Sequence, residues 1–389
     1  MSVFNQFKDY VEMDLYPFNN QHCNLFQKSS TSCSRNKSAS VLKLLGPKGK
    51  VGIPYKYFKC SDPNDVSIYK SSKFKKPTLK KYTSKNKTFC GLDEFTNESF
   101  IGLMIHDLVK NNKYVSKSYV KQFGAYICPN TSSVYNHMEL CDLGDMTRKI
   151  DTAVLSAPQK KFCENKQLIV AHCLFQVSSI ISFLQEKSSY SHGDLKAGNI
   201  FIKNEKTVTE CGKYRVRSPI TFKIADYGKN CISVDKYRLY NHTVVSKFLS
   251  NHNFSNQKNS LVLNKYKHIP DYLRSQLIYS HMRHLGSSIM GDVDMYIFVL
   301  SLLFNPIYSQ AVIELPKKFH QILWYPDQIN FIHRHLLKIK SKVKPNKLRS
   351  VTTPMIFLTT PLENGSFIRL KKGNAKRLSK FMCSYVRNL

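Results

Sequence analysis

Apolar and polar positions follow two different patterns along the chain. Between residues 41 and 140, short apolar segments alternate with turn-forming residues, a pattern that predicts strands over 41–45, 50–60, 66–70, 119–128 and 133–140. In the same part, apolar side chains recur at helical spacing over 92–110 and predict one helix, with Asn97 and Glu98 on its polar side. The first part of the chain is therefore expected to be strand-rich, with a single helix.

After Gly144 the pattern becomes helical, and apolar residues predict helices over 167–187, 294–304 and 330–340. This change indicates an α+β chain of two lobes. We expect an N-terminal extension at 1–40, an N-lobe at 41–140 and a C-lobe at 141–389. A segment rich in Ser, Lys and Asn predicts a linker at 27–40, and a lysine-rich segment predicts a solvated loop at 70–87.

Composition and charge narrow the class of protein. Of the 389 residues, 42% are hydrophobic, enough for a buried core, and 59 Lys and Arg against 26 Asp and Glu give a formal charge of +33. This charge favours contacts with nucleic acid or another polyanion, and an AT-rich coding sequence is the alternative explanation. The eleven cysteines include no Cys-x-x-Cys pair and predict buried, reduced thiols. No stretch approaches the roughly 18 apolar residues of a membrane span.

Candidate chemistry is concentrated in residues 192–199, HGDLKAGN. Transfer of a phosphoryl group requires a carboxylate that orients the attacking hydroxyl, metal ligands, and a cation on the phosphates. Asp194 stands five residues before Asn199, and a predicted strand pair then leads to an Asp-Tyr-Gly turn at 226–228. This order of groups is the one that phosphoryl transfer in kinases requires.

In these motifs, and in the order of its elements over 41–340, the chain resembles the eukaryotic-type protein kinase superfamily. The resemblance implies a bilobal protein-kinase-like fold that uses ATP and Mg²⁺. Asp194 would be the catalytic base, Asn199 and Asp226 the Mg²⁺ ligands, and Lys196 the cation on the transferred phosphate. A lysine two residues after the aspartate resembles Ser/Thr protein kinases more than small-molecule phosphotransferases.

The resemblance also implies an ATP site. Gly46, Gly49 and Val51 match the later part of the family's phosphate-covering loop, although the position of its first glycine is occupied by a leucine. Residues 137–146 resemble the hinge between the lobes, where backbone groups from Glu139 to Cys141 would hold the adenine edge.

A lysine and a glutamate complete the implied ATP site. In the family, a strand lysine holds the α- and β-phosphates and pairs with a helix glutamate. Lys70 is the preferred match for the lysine, with Lys59 as the alternative. Glu98 is the preferred match for the glutamate, with Glu94 one turn earlier as the alternative.

Several positions depart from the family pattern. Gly193 stands where an arginine usually precedes the catalytic aspartate, which makes activation-loop phosphorylation a less favoured switch. An insertion at 204–219 predicts an enlarged hairpin. Asp271 replaces the glutamate that closes the activation segment, and Asp294 resembles the aspartate that braces the catalytic loop.

The divergence, the Lys- and Asn-rich composition and the Tyr-Arg-Leu-Tyr sequence at 237–240 are similar to kinases of large DNA viruses, and to the herpesvirus conserved-kinase group in particular. The expected function is therefore a viral Ser/Thr protein kinase with protein substrates. We expect it in the cytoplasm or nucleus, or in the host nucleus and virion. The alternatives are a pseudokinase scaffold, an aminoglycoside-type phosphotransferase, and a nucleic-acid-binding protein built on the same scaffold.

Overall fold

The computed structural model describes residues 5, 7–9, 40–45, 53–73, 79–84, 87–112, 115, 117–128, 133–241, 288–323 and 373–389. Its first part is strand-rich and holds one long helix, as the sequence predicts. In chain order the elements are β1 (Ser40–Leu44), β2 (Ile53–Lys59), β3 (Asp62–Lys73), β4 (Leu79–Ser84), β5 (Lys87–Leu92), α1 (Glu94–Val109), β6 (Gln122–Cys128) and β7 (Ser133–Glu139).

The second part is mainly helical, which confirms the α+β class. It consists of α2 (Ala157–Glu164), α3 (Lys166–Ser188), β8 (Ile200–Lys203), β9 (Thr207–Cys211), β10 (Tyr214–Ser218), β11 (Thr221–Ile224), β12 (Ile232–Val234), β13 (Tyr237–Asn241), α4 (Ser288–Phe304), α5 (Ser309–Ile313), α6 (Lys317–Leu323) and α7 (Asn374–Arg387). Short 3-10 turns lie at Ala197–Asn199 and Tyr227–Lys229. The predicted helix at 330–340 lies outside the described residues.

Five strands form an antiparallel sheet in the order β1-β2-β3-β7-β6. The central strand, β3, begins at Asp62, inside the predicted turn, and continues to Lys73. Lys70 lies opposite Pro54 of β2 and Asn136 of β7, so its backbone is held between two neighbouring strands. The sheet therefore fixes the position of this lysine.

The predicted solvated loop at 70–87 is wrong, because β4 and the start of β5 lie in it. These two strands belong to a four-stranded sheet of order β12-β13-β5-β4, in which β13 runs parallel to β5. Lysine-rich segments can form strands when another part of the chain supplies hydrogen-bonding partners. Here the partner, β13, lies more than a hundred residues away and beyond the predicted lobe boundary at 140.

Helix α3 forms the centre of the second part. Asn165 caps its first turn by accepting hydrogen bonds from the N–H groups of Gln167 and Leu168, at 3.0 and 3.1 Å. By length and composition alone α3 could cross a membrane, but most of it is buried in the protein core. It packs against α4, which begins at Ser288, earlier than predicted.

The predicted hairpin insertion is confirmed as the antiparallel pair β9–β10. Cys211, at the end of β9, forms a disulfide with Cys383 of α7, and Cys60 and Cys128 are also disulfide-bonded. The expectation of reduced thiols throughout is therefore wrong, although Cys90, Cys141, Cys163, Cys173 and Cys231 are free and buried. A pair separated by 172 residues becomes visible only when α7 packs beside the hairpin.

The Cys211–Cys383 disulfide should stabilise the fold by restricting the unfolded chain. For a loop of this length the chain-entropy model gives up to about 5 kcal/mol. Replacing Cys383 by serine should lower the free energy of unfolding under non-reducing conditions, measured by urea titration. In dithiothreitol the wild type and variant should instead unfold nearly together, and a difference that persists there would contradict this assignment.

Acid should weaken the fold through His172 of α3. Burial lowers the pKa of this imidazole from 6.5 to about 4, so the unfolded chain binds a proton that the folded chain excludes. The resulting stability is complete above about pH 6.5 and is lost as pH falls towards 4, by at most about 1.4 kcal/mol per pH unit. The His172→Leu variant should show a flatter decline between pH 6.5 and 4.5 in urea titrations. An unchanged slope would show that His172 does not cause the loss.

Candidate functional site

The loop between α3 and β8 carries the predicted catalytic residues. The buried carboxylate of Asp294 holds this loop in place by hydrogen bonds. Asp294 of α4 accepts hydrogen bonds from the backbone N–H groups of His192, at 2.6 Å, and Gly193, at 2.8 Å, and from the Ser191 hydroxyl, at 3.1 Å. Complete burial raises the pKa of Asp294 to about 7, although these hydrogen bonds act to lower it. The contact that the sequence implied for Asp294 is therefore present.

Two lysines contact the Asp194 carboxylate, which is almost fully buried. The Lys196 Nζ lies 3.1 Å from Asp194 Oδ2, and the Lys229 Nζ lies 2.6 Å from the same oxygen. The Asn199 side chain donates from Nδ2 to the Asp194 carbonyl oxygen at 2.9 Å. The predicted base, phosphate cation and metal ligand thus form one cluster, and the sequence analysis missed Lys229.

The Asp-Tyr-Gly turn brings Asp226 towards the N-lobe. Asp226 has a φ of +65°, a left-handed conformation that is uncommon for residues other than glycine. Its Oδ1 lies 3.8 Å from the Lys70 Nζ. Burial acts to raise the pKa of Asp226, but nearby cations, with Lys70 the strongest, hold it below the usual range. The Tyr227 hydroxyl lies 2.9 Å from the carbonyl oxygens of Val120 and Ile224, which fixes the turn.

Of the two lysines considered, the structure pairs Lys70 with Glu98. The Lys70 Nζ lies 2.9 Å from both carboxylate oxygens of Glu98, which is buried. Burial acts to lower the pKa of Lys70, but the Glu98 and Asp226 carboxylates raise it. Lys59 is exposed at the end of β2, and Glu94 lies beside the Asp-Tyr-Gly turn instead.

Asn97 and Glu98 of helix α1 are buried. The prediction that they lie on a polar side of the helix is therefore wrong. Asn97 is fully buried and donates from Nδ2 to the carbonyl oxygens of Gly228, at 3.1 Å, and Asn230, at 2.9 Å. Asn241 of β13 donates to the same Gly228 oxygen at 2.6 Å. The 227–229 turn covers this side of α1, a contact that helical periodicity alone cannot reveal.

The end of β7 is held by a charged cluster that the sequence did not indicate. The buried Glu139 carboxylate pairs with Lys203 of β8 and, at 3.2 Å, with Lys223 of β11. Burial lowers the pKa of Lys223, although Glu139 acts to raise it. The Glu139 N–H donates to the Lys121 carbonyl oxygen at 2.9 Å and is thus already used. The predicted adenine contact of backbone groups at 139–141 stays a prediction.

Cys141 lies in a small apolar cluster. It is buried with Val120 and Ala225, and Met138 and Phe201 pack against these three. Burial raises the pKa of the Cys141 thiol to about 12, so the thiol is neutral at physiological pH. The sequence analysis did not select Val120, Ala225 or Phe201. Their positions in the sequence could have indicated them, because Ala225 directly precedes the Asp-Tyr-Gly turn and Phe201 follows the catalytic loop.

The predicted Mg²⁺ ligands can be tested by their chemistry. Among the described residues, no group of three or more His, Cys, Asp and Glu side chains could hold a metal ion. Asn199 and Asp226 offer instead one amide and one carboxylate, and the Asn199 Nδ2 bond to Asp194 leaves its Oδ1 as the ligand atom. Oxygen donors suit Mg²⁺, which keeps waters and phosphate oxygens in its remaining positions. These residues therefore fit the ion.

Two parts of the predicted site lie outside the described residues. The first is the phosphate-covering loop with Gly46, Gly49 and Val51, and the second is the end of the activation segment at Asp271. Their assignments stay predictions.

Comparisons with known proteins add one distant relative. No family profile matches the chain. It is 23% identical to "Putative serine/threonine-protein kinase R679" of Acanthamoeba polyphaga mimivirus, over 57% of this chain and 37% of that protein, so it matches less than half of the relative's length. A chain from "Structure of the CAK complex form Chaetomium thermophilum bound to ATP-gamma-S" aligns at 15% identity over 49% of this chain and 47% of that chain. Its TM-score is 0.31, too low to support a conclusion.

Breaking the Lys70–Glu98 pair should destabilise the fold, because it leaves a buried charge without its partner. The Lys70→Met variant should lose about 3 kcal/mol in the free energy of unfolding. The Lys70→Met, Glu98→Gln double variant should lose less than the sum of the two single variants, since it leaves no lone charge. Urea titration of all four proteins gives the coupling energy, and strict additivity would contradict a direct interaction.

Proposed function

We propose that this protein is an ATP-dependent Ser/Thr protein kinase. The observation that supports the proposal most strongly is that two groups of residues lie near each other. Asp194 contacts Lys196 and Asn199, and Asp226, which lies 3.8 Å from Lys70 of the Lys70–Glu98 pair, also feels the charge of Lys196. Phosphoryl transfer needs a base, metal ligands and phosphate-binding cations within reach of one another. The viral relative's name agrees with this reading.

Asp194 is the base in the proposed reaction. It accepts the proton of the attacking hydroxyl while that oxygen bonds to the γ-phosphorus and the bond to the departing ADP oxygen breaks. Lys196, whose Nζ lies beside Asp194, balances the charge on the transferred phosphoryl group. Within the loop, Asn199 donates to the backbone carbonyl oxygen of Asp194 and Lys196 contacts its buried carboxylate, so little reorganisation is needed before transfer.

Nucleotide and metal are held from both lobes. Lys70, fixed by Glu98, would bind the α- and β-phosphates, and the loop with Gly46, Gly49 and Val51, outside the described residues, is the proposed cover for them. Asn199 and Asp226 would hold Mg²⁺, whose charge would offset that of the phosphates. The apolar cluster around Cys141 contacts the adenine ring, with backbone groups of 139–141 at its edge.

The proposed substrates are hydroxyl groups of proteins. The proposed origin of the kinase is a virus, so these proteins would be in the infected host cell or the virion. The charge of +33 favours acidic or nucleic-acid-associated proteins. The proposed location is the cytoplasm or nucleus, or the host nucleus and virion for a viral protein. Membership of the herpesvirus group stays a prediction.

The second candidate is a pseudokinase scaffold, which would bind nucleotide or a partner without transferring phosphate. One observation favours it. Lys196 and Lys229 both contact Asp194 Oδ2, so one of the two carboxylate oxygens of the proposed base is already occupied by amines. Activity measurements separate the two candidates directly.

The Asp194→Asn variant should transfer phosphate at least about 100-fold more slowly than wild type, because the amide cannot accept the proton. The assay uses labelled ATP, Mg²⁺ and a panel of acidic and basic proteins. Mg²⁺-dependent nucleotide binding, measured by calorimetry, should remain. Asp151→Asn, a change in an exposed loop, is the matched control and should leave the rate of phosphate transfer and nucleotide binding unchanged. A wild type that binds nucleotide but phosphorylates neither itself nor any substrate would support the scaffold and refute the kinase.

A further inference from the structure

Lys229 makes the shortest contact to the proposed base, and no role follows for it from the motif. It ends the 3-10 turn after Asp226, and its Nζ hydrogen-bonds to Asp194 Oδ2 at 2.6 Å. Lys196 donates to the same oxygen from 3.1 Å. Both amines therefore bind one oxygen, which leaves Asp194 Oδ1 for an acceptor hydroxyl.

The position of Lys229 depends on the glycine before the base. Gly193 has a φ of +71°, and a Cβ built there would lie 2.6 Å from the Lys229 carbonyl oxygen. Any other side chain would push the 227–229 turn away from the catalytic loop. The glycine that stands in place of the usual arginine at 193 therefore allows the turn that carries Lys229 to lie beside Asp194.

The backbone that carries Lys229 is held firmly. The Gly228 carbonyl oxygen accepts hydrogen bonds from Asn97 of α1 and Asn241 of β13, at 3.1 and 2.6 Å. The Asn230 side chain donates to the His192 carbonyl oxygen at 2.7 Å and joins the turn to the catalytic loop. A side chain that leaves such an anchored turn can hold its partner in one orientation.

Charge and exposure support the same role. Burial acts to lower the pKa of Lys229, but the Asp194 carboxylate raises it above its usual value, so the side chain is a cation at neutral pH. The Lys229 side chain is 37% exposed and that of Asp194 only 4%. The lysine side chain is therefore partly open to solvent while the carboxylate that it contacts is buried.

We infer that Lys229 is a positioning residue of the transfer site, which holds the Asp194 carboxylate so that Oδ1 faces the acceptor hydroxyl. This inference rests on the proposed kinase function. It also implies that the base is oriented by a cation inside the site, without an arginine at 193 or a phosphorylated activation segment. Enzyme produced in bacteria and treated with phosphatase should accordingly be active.

Kinetics of Lys229 variants test the inference. With casein as acceptor and saturating Mg²⁺-ATP, Lys229→Met should lower kcat by about tenfold or more, because the base loses its orientation. The KM for ATP should stay within about twofold, since Lys229 acts on the base and not on nucleotide. Lys229→Arg keeps the charge and should recover most of the kcat. Lys110→Met, which breaks an ion pair of 2.9 Å to Asp107 away from the site, is the matched control and should leave kcat unchanged.

A double variant separates positioning from a general effect on the fold. In the Asp194→Asn background, Lys229→Met should cause no further loss of the residual rate, because its effect passes through Asp194. Lys229→Gln provides a second neutral variant if the methionine protein unfolds at the assay temperature. An active wild type whose Met and Gln variants both keep kcat within twofold would overturn the inference and leave the kinase proposal intact. A wild type that transfers no phosphate would overturn both.

Discussion

The buried carboxylate of Asp294 is the contact on which the candidate site depends. It accepts two backbone N–H groups and one hydroxyl from the loop that precedes Asp194, and so joins that loop to the apolar helix α4. A second bond, from the Ala197 N–H to the Ser301 hydroxyl of the same helix, fixes the next turn. A loop with these anchors can hold a nearly buried carboxylate beside two lysines, because the backbone on both sides of Asp194 is fixed to α4.

The other half of the site belongs to the strand-rich lobe. Helix α1 supplies Glu98 to the ion pair with Lys70 and Asn97 to the turn that follows Asp226. The turn is therefore held by side chains from both parts of the chain. Movement of α1 would therefore change the Lys70–Glu98 pair and the turn after Asp226 together.

Gly193 differs from the expected arginine and also allows the 227–229 turn to approach the loop that carries Asp194. From sequence it means only that an arginine is missing. In three dimensions its positive φ and its lack of a side chain allow the Lys229 carbonyl oxygen to approach closely. The Lys229 side chain then reaches Asp194 from this turn. The glycine at 193 is thus part of the contact that brings Lys229 to Asp194.

The sequence by itself determined the α+β class, most strands, the main helices and the residues of the two central motifs, because these depend on local periodicity and short spacings. It also indicated Lys70, Glu98 and Asp294 as candidates. Only the tertiary structure showed that Lys70, and not Lys59, pairs with Glu98, that Asn97 is buried, and that Lys229 contacts Asp194. It also showed that the lysine-rich segment forms β4 and β5 and that Cys211 pairs with Cys383. Each of these depends on contacts between residues distant in the chain, which local patterns do not record.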